Sequence, residues 1–296
     1  MDVTQLADVK PRPRRVAVGE FDGVHLGHRQ VIADNDTVLT FEPHPAFVVH
    51  PERAPRLLTS LEVKAELIAH LGVSELVVIP FDERFANQTP QEFIDQVLVE
   101  ALGATHVAVG DNFRFGHNAT GTTDLLEADP RFSTHVARLV ESDGQTISSS
   151  RIRQLIAAGD LDEANRLLGD PFRIRGEVIG GDQRGRELGF PTANIAPDPT
   201  LIYPAYGVYA CRVSASVGEY MAAANVGVRP TFGDDLVPLI EPFLLDFSGN
   251  LYGQTLTVEF VAHLRGELRF DGIEPLIAQM NHDVAETRRL LGSAPG

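Results

Sequence analysis

GEFDGVHLGH, residues 19–28, follows the short β-branched run Val16 to Val18 and leads directly into a helical pattern. A buried strand that ends in a glycine-rich turn and reopens as a helix is the opening unit of a parallel α/β sheet. Gly19, Gly23 and Gly27 let the backbone approach a ligand with no Cβ in the way. His25 and His28 lie three apart and share one face where the helix begins. The positive end of that helix and two imidazole donors favour an anion, most simply a polyphosphate. Paired histidines also serve as metal ligands, but no third and fourth ligand follow at suitable spacing.

Further short strands are expected at Val38 to Phe41, Leu76 to Pro80 and His106 to Gly110, with helices between them. Thr59 precedes Glu62 at capping-box spacing, ahead of an apolar stripe through Leu61, Ala65, Ile68 and Leu71. Thr89, Pro90 and Glu92 read as N-cap, N1 and N3 of a helix that buries Phe93, Val97 and Ala101. Ligands of such sheets bind beyond the carboxyl ends of the strands, and GDNFRFG (110–116) follows its strand as closely as GEFDG does. Residues 146–169 read as a helical pair broken near Gly159 and restarted by Asp160, closing a first domain of residues 1–169.

After Pro171 the texture changes. Arg173 to Ile179, Gly207 to Val213, Tyr220 to Val226, Pro238 to Asp246 and Leu256 to Val261 are strand-like runs separated by Gly, Pro, Asp and Asn. This spacing predicts an antiparallel barrel in a second domain, residues 170–296. Asp271 and Glu274 cap a final amphipathic helix with Ile273, Leu276, Ile277, Met280 and Val284 inward. Within the barrel region, VIGGDQRGRELGFPTANI (178–195) is glycine-rich and ends in Thr192 and Asn194. A hydroxyl and an amide oxygen are hard donors that suit Mg²⁺ with phosphates completing the shell. Alone, PTAN reads equally as a hairpin turn.

The 296 residues suit two domains. A net charge of −16 argues against a nucleic-acid-binding surface, and no polybasic stretch offsets it at an anionic membrane. Arg12, Arg14 and Arg15 read as a solvated terminal arm. Cys211, the single cysteine, falls in an alternating apolar run and reads as a buried strand thiol. No signal-peptide core or membrane span is apparent, so a cytoplasmic setting is expected. The residues set no oligomeric state.

The first string resembles the HxGH signature of the nucleotidyltransferase superfamily. Its form GxFDGxHxGH is similar to the adenylyltransferase half of the prokaryotic bifunctional riboflavin kinase/FAD synthetase family. The resemblance continues through FEPHP (41–45), GDNFRFG and ISSSRIR (147–153). GRELGFPTAN (185–194), GVYA (207–210), NVGVRPTF (225–232), EPFLLDFSGNLYG (241–253) and LRGELRF (264–270) resemble the flavokinase half in order. The resemblance implies a Rossmann-like domain with a parallel sheet, then a flavokinase barrel with a terminal helix.

It further implies that FMN phosphate attacks the α-phosphorus of ATP and releases pyrophosphate. His25 and His28 would stabilise charge on the α-phosphate, and Arg153 would hold the leaving group. Gly19, Asp22, Gly27, Asn112, Ser149, Ser150 and Arg151 would line the nucleotide. In the second half Gly185, Thr192 and Asn194 would bind Mg-ATP, and Glu241 would take the proton of the riboflavin 5′-hydroxyl. ATP is co-substrate at both sites, Mg²⁺ is needed at both, and riboflavin, FMN and FAD are substrate and product.

The sequence departs from the family in two stretches. Eleven residues separate His28 from Thr40, where the family fits a longer helix, and the stretch from Leu125 to Gly144 also looks trimmed. A monofunctional riboflavin kinase with an impaired first domain is therefore an alternative. A non-catalytic flavin- or nucleotide-binding module is another, although it would have no use for a general base.

Overall fold

The computed structural model describes residues 1–180, 190–196, 198–230 and 236–292. These form two compact units: Met1–Pro55 with Leu61–Ser149, and Arg56–Ser60 with the chain from Ser150 onward.

The first unit holds six strands: β1 Asp2–Gln5, β2 Arg14–Val18, β3 Thr37–Glu42, β4 Glu75–Pro80, β5 Ala104–Gly110 and β6 Ser133–Ala137. They pair in parallel in the order β1-β4-β3-β2-β5-β6. Side chains alternate between two buried faces, as a doubly covered sheet requires. Val16, Val18, Leu39, Val77, Ile79, Val107 and Val109 pack with Phe93, Ile94, Val97 and Leu98. Ala17, Val38, Leu76, Val78 and Ala108 pack with Val31, Ile32, Val63, Leu67 and Ile68. The sequence did not reveal β1 and β6, the two edge strands. DVTQ leaves Val3 54% exposed, so no buried run marks it.

A hairpin of β7 Glu141–Ser142 and β8 Gln145–Thr146 turns through Asp143 (φ 53°) and Gly144 (φ 72°), the Asp-Gly pairing that a tight hairpin favours.

Three expectations for this unit change. Arg14 is not a solvated arm residue: it is 3% exposed, and its guanidinium donates to Leu102 O at 2.7 Å and to Glu75 Oε2 at 2.9 Å. Arg12 reaches the same carboxylate at 2.8 Å, so Glu75 anchors the arm to β4. The Leu61–His70 helix buries Ile68 of the expected stripe together with Val63, Lys64 and Leu67, while Leu61 and Ala65 are half-buried and Leu71 is exposed. The Thr89 capping box forms as expected, but residues Phe93–Ala101 then run as a π-helix, with Leu102 N–H donating to Val97 O at 3.0 Å. The wider turn carries Ile94 and Leu98 into the core beside Phe93 and Val97, while Ala101 is half-buried.

The second unit is a closed antiparallel barrel. Its strands are β9 Phe172–Ile179, β10 Asn194–Ile195, β11 Gly207–Ala215, β12 Gly218–Pro230, β13 Leu236–Leu244 and β14 Thr255–Arg265, in the order β10-β13-β12-β11-β14-β9. Cys211 is fully buried on β11, and burial pushes its thiol pKa well up. The terminal helix, Ile273–Gly292, packs on β11 and β12. Ile273 does not face inward but is 62% exposed; the helix turns Asp283, Thr287 and Leu291 to the barrel. Asp283 is buried because Arg265 grips it, with Nη2 to Oδ2 at 2.7 Å.

The helical pair Ser149–Ala158 and Leu161–Leu168 was expected to close the first domain, yet from Ser150 onward it groups with the barrel. Asn165 explains this in part. Its Nδ2 donates to Phe260 O at 2.9 Å, and its Oδ1 accepts from Phe172 N–H at 2.7 Å. Leu161, Ala164, Leu167 and Leu168 bury the helix face beside it.

Candidate active sites

The order of the first sheet reverses between β2 and β5: the chain winds outward from β2 through β3 and β4 on one side, and through β5 and β6 on the other. Such a switch point opens a crevice at the carboxyl ends of the strands. Residues 19–25 follow β2 into it, and residues 110–116 follow β5. Asn112 is exposed there, its Oδ1 3.3 Å from where a Cβ on Gly110 would stand.

The 19–25 turn is strained and buried. Phe21 (φ 50°), Gly23 (φ 84°) and Val24 (φ 43°) all lie at positive φ, which for a β-branched residue such as Val24 is a true outlier. Burial of Phe21 and Val24, at 2% and 0% exposure, offsets that strain. Gly19 is required by contact: a Cβ there would lie 2.9 Å from the Phe21 ring.

His25 caps the Leu26–Ile32 helix, its Nδ1 accepting from His28 N–H at 3.2 Å. The neutral ring therefore carries its proton on Nε2. The His25 and His28 rings stack with centroids 3.5 Å apart, and Phe21 meets His28 edge-on at 5.4 Å. Gly27 leaves room for the stack, because its Cβ would stand 3.1 Å from His25 Cε1. The helix is short, at seven residues, and its histidine end is capped.

Asp22 is 3% exposed, and its carbonyl accepts from Ser149 Oγ at 3.0 Å, joining the first motif to the start of the ISSSRIR helix. Ser150 is exposed, Arg153 half-buried, and Arg151 pairs with Glu163 at 2.9 Å inside the second unit. Three neighbours of the turn were not singled out from the sequence. His44 of FEPHP pairs through Nε2 with Glu20 at 2.7 Å, Thr40 Oγ1 donates to Glu20 O at 3.1 Å, and Lys64 lies 5% exposed beneath them. Lys64 carried no signal because it breaks the apolar pattern of its helix.

In the barrel the register sets the second site. Ile195 pairs with Ile240 and Ile240 with Val226, a rung of side chains at 1%, 1% and 0% exposure that points inward. The adjacent rung must point outward. It contains Glu241 opposite Asn225, and Ala193 N–H donating to Pro242 O at 3.0 Å brings Asn194 alongside Glu241. Asn225 Nδ2 donates to Glu241 Oε2 at 3.4 Å. Phe190, just before the PTAN segment, packs against Phe243 at 5.2 Å. Gly185 lies outside the described residues. Asn225 sits in NVGVRPTF, and only the strand register shows that it faces Glu241.

Among the described residues no group of three or more His, Cys, Asp and Glu side chains is arranged to hold a metal ion. No helix among them is long and apolar enough to cross a membrane.

A strained loop with a histidine stack at a switch point, and a carboxylate between two amides on a barrel, define a two-domain transferase of phosphate-bearing substrates. Residues 8–151 match the family model described as FAD synthetase, and residues 168–291 match that of riboflavin kinase. The chain is 41% identical over 286 residues to the bifunctional riboflavin kinase/FMN adenylyltransferase of Listeria monocytogenes, covering 92% of this chain and 91% of that one. It is 39% identical over 290 residues to the Bacillus subtilis protein of the same name, covering 93% and 91%. A solved structure titled macrolide-efflux protein from Streptococcus pneumoniae superposes with a TM-score of 0.86 at 30% identity, covering 97% of this chain and 99% of that one. The chain belongs to the bifunctional riboflavin kinase/FMN adenylyltransferase family.

Proposed function

We infer that this chain phosphorylates riboflavin with ATP to give FMN and ADP, then adenylylates FMN with a second ATP to give FAD and pyrophosphate. The carrying observation is that both family regions match in sequence on one chain. The functional division follows the motifs: adenylyl transfer in residues 1–169 and phosphorylation in residues 170–296.

In adenylyl transfer FMN phosphate attacks the α-phosphorus of ATP in line with the departing pyrophosphate. His25 and His28 stabilise the charge that grows on the α-phosphate oxygens, a role that their fixed stack suits because no reorganisation is needed as charge develops. Gly19, Gly27, Asp22 and Asn112 line the nucleotide. Ser149, Ser150, Arg151 and Arg153 hold the pyrophosphate, an assignment resting on their motif.

In riboflavin phosphorylation Glu241 takes the proton of the riboflavin 5′-hydroxyl as its oxygen bonds to the γ-phosphorus of ATP. A carboxylate suffices because that hydroxyl becomes acidic only as the bond forms. Thr192 and Asn194 supply hard oxygens two residues apart on the segment laid along β13, a donor set that fits Mg²⁺ better than a softer metal. Bound there, Mg²⁺ would offset the charge of the ATP phosphates. Gly185 belongs to the same nucleotide loop by motif. The substrates are small molecules in a cytoplasmic setting, and the net charge of −16 supports neither nucleic acid nor anionic membrane as a partner.

The monofunctional kinase is the second reading, since the Leu26–Ile32 helix has only seven residues. The intact histidine stack at its start favours retained adenylyl transfer. Purified protein given riboflavin, Mg²⁺ and ATP decides: FAD is expected, accumulation at FMN would support the kinase alone, and unchanged riboflavin a silent binder.

A further inference from the structure

The Leu61–His70 helix turns a lysine into the core of the first unit. Lys64 is 5% exposed, on a helix face otherwise made of Val63, Leu67 and Ile68. Burying an ammonium is costly unless opposite charge meets it. Three carboxylates do. Burial lowers the Lys64 pKa most, and Asp22 and Glu20 of the 19–25 turn and Glu42 at the end of β3 oppose that with their charge. Lys64 Nζ also reaches Thr40 Oγ1 at 3.5 Å, and Thr40 Oγ1 donates to Glu20 O at 3.1 Å. The lysine is thereby linked through one hydroxyl to the backbone of the turn that carries the histidine stack.

That turn faces an electrostatic conflict. It is proposed to receive a polyphosphate, yet it carries Glu20 and Asp22 and borders Glu42. Asp22 cannot relieve the conflict by moving into water, because it is 3% exposed and its backbone is tied to Ser149. His44 Nε2 engages Glu20 at 2.7 Å.

We propose that Lys64 is a positioning residue for adenylyl transfer: a buried cation that balances the carboxylates beneath the turn, fixing its strained conformation and letting an anionic nucleotide approach. It acts through Asp22, Glu42 and Thr40 and does not itself touch the substrate. The proposal rests on the adenylyltransferase reading of this turn.

The test uses the full-length chain and follows FAD formation from FMN and Mg-ATP, with riboflavin phosphorylation as an internal control. Lys64→Met is expected to lower kcat/KM for FAD formation about 100-fold, the scale of a misplaced catalytic constellation. Riboflavin phosphorylation should stay at the wild-type rate. The double variant Lys64→Met/Glu42→Gln, which removes one surplus negative charge, should recover about tenfold of that loss. A packing role alone would give no charge rescue, so an unrelieved loss overturns the proposal, as does an unchanged kcat/KM in Lys64→Met.

Should Lys64→Met not fold, the wild-type pH profile decides. Burial lowers the Lys64 pKa, with Asp22, Glu42 and Glu20 opposing. As pH rises through that lowered value the cation is lost, so FAD formation should decline on the alkaline side before riboflavin phosphorylation does. Parallel alkaline limbs would overturn the proposal. If wild-type protein makes no FAD at all, the reading of the turn itself has failed; FAD production with an indifferent Lys64 refutes the present inference alone.

Discussion

Asn225 and Glu241 stand directly opposite each other on β12 and β13, and the amide of one donates to the carboxylate of the other at 3.4 Å. The bond is long, as catalytic hydrogen bonds often are before substrate binds, and it leaves the second carboxylate oxygen for other contacts. Its value is orientation. Asn225→Ala is expected to lower kcat for riboflavin phosphorylation about tenfold, within the range for a hydrogen bond to a charged group. FAD formation from added FMN should be unaffected, and steady-state kinetics on both reactions checks the pair.

Gly27 is held to glycine by the His25 ring at 3.1 Å. Gly27→Ala should push the imidazole out of its stack with His28 while leaving the helix intact. Adenylyl transfer is expected to fall about 100-fold, with riboflavin phosphorylation and the thermal midpoint nearly unchanged. An active Gly27→Ala enzyme would mean that the stack is not needed.

The Arg14–Glu75 pair carries a stability prediction. The hydrogen bond from Arg14 holds the Glu75 carboxyl below its ordinary value, aided by the charges of Arg14 and Arg12 and opposed by burial. A depressed carboxylate pKa contributes stability that is present above the unfolded-state value and lost as pH falls through the folded-state value. Arg14→Met should therefore destabilise the first unit by about 2 kcal/mol near neutral pH, since it removes one of the two guanidinium partners of Glu75 and the bond to Leu102 O. The difference from wild type should shrink in acid. Urea titrations at neutral and acidic pH read both.

Much of this was legible in the sequence, because the signals were local. The four central strands, the Thr89 capping box and the helix start at the two histidines each follow from a few adjacent residues. What was not legible depends on partners far along the chain. Arg14 looked solvated because Glu75 and Leu102, which bury it, are distant in sequence. Lys64 went unmarked because its counter-charges come from the turn after β2 and the end of β3, both distant in sequence. Asn225 needed the register of β12 against β13, and the edge strands β1 and β6 had no buried run to betray them.

The helical pair gives a prediction about truncation. A fragment beginning at Ser150 keeps Asn165 between Phe260 and Phe172, whereas one beginning at Asp170 leaves Phe172 N–H at the start of β9 and Phe260 O on β14 without that partner. The longer fragment should melt at a clearly higher temperature by circular dichroism. Equal midpoints would show that the pair adds nothing to the barrel.

The central claim is that two separate sites on this chain carry out two successive reactions. Mixing two inactive variants tests it most directly. His28→Ala should convert riboflavin to FMN and stop, while Glu241→Ala should leave riboflavin untouched yet adenylylate added FMN. Neither alone should make FAD from riboflavin with Mg²⁺ and ATP, and an equimolar mixture should make it, with free FMN passing between molecules. A mixture that yields no FAD, or either single variant losing both reactions, would contradict the account.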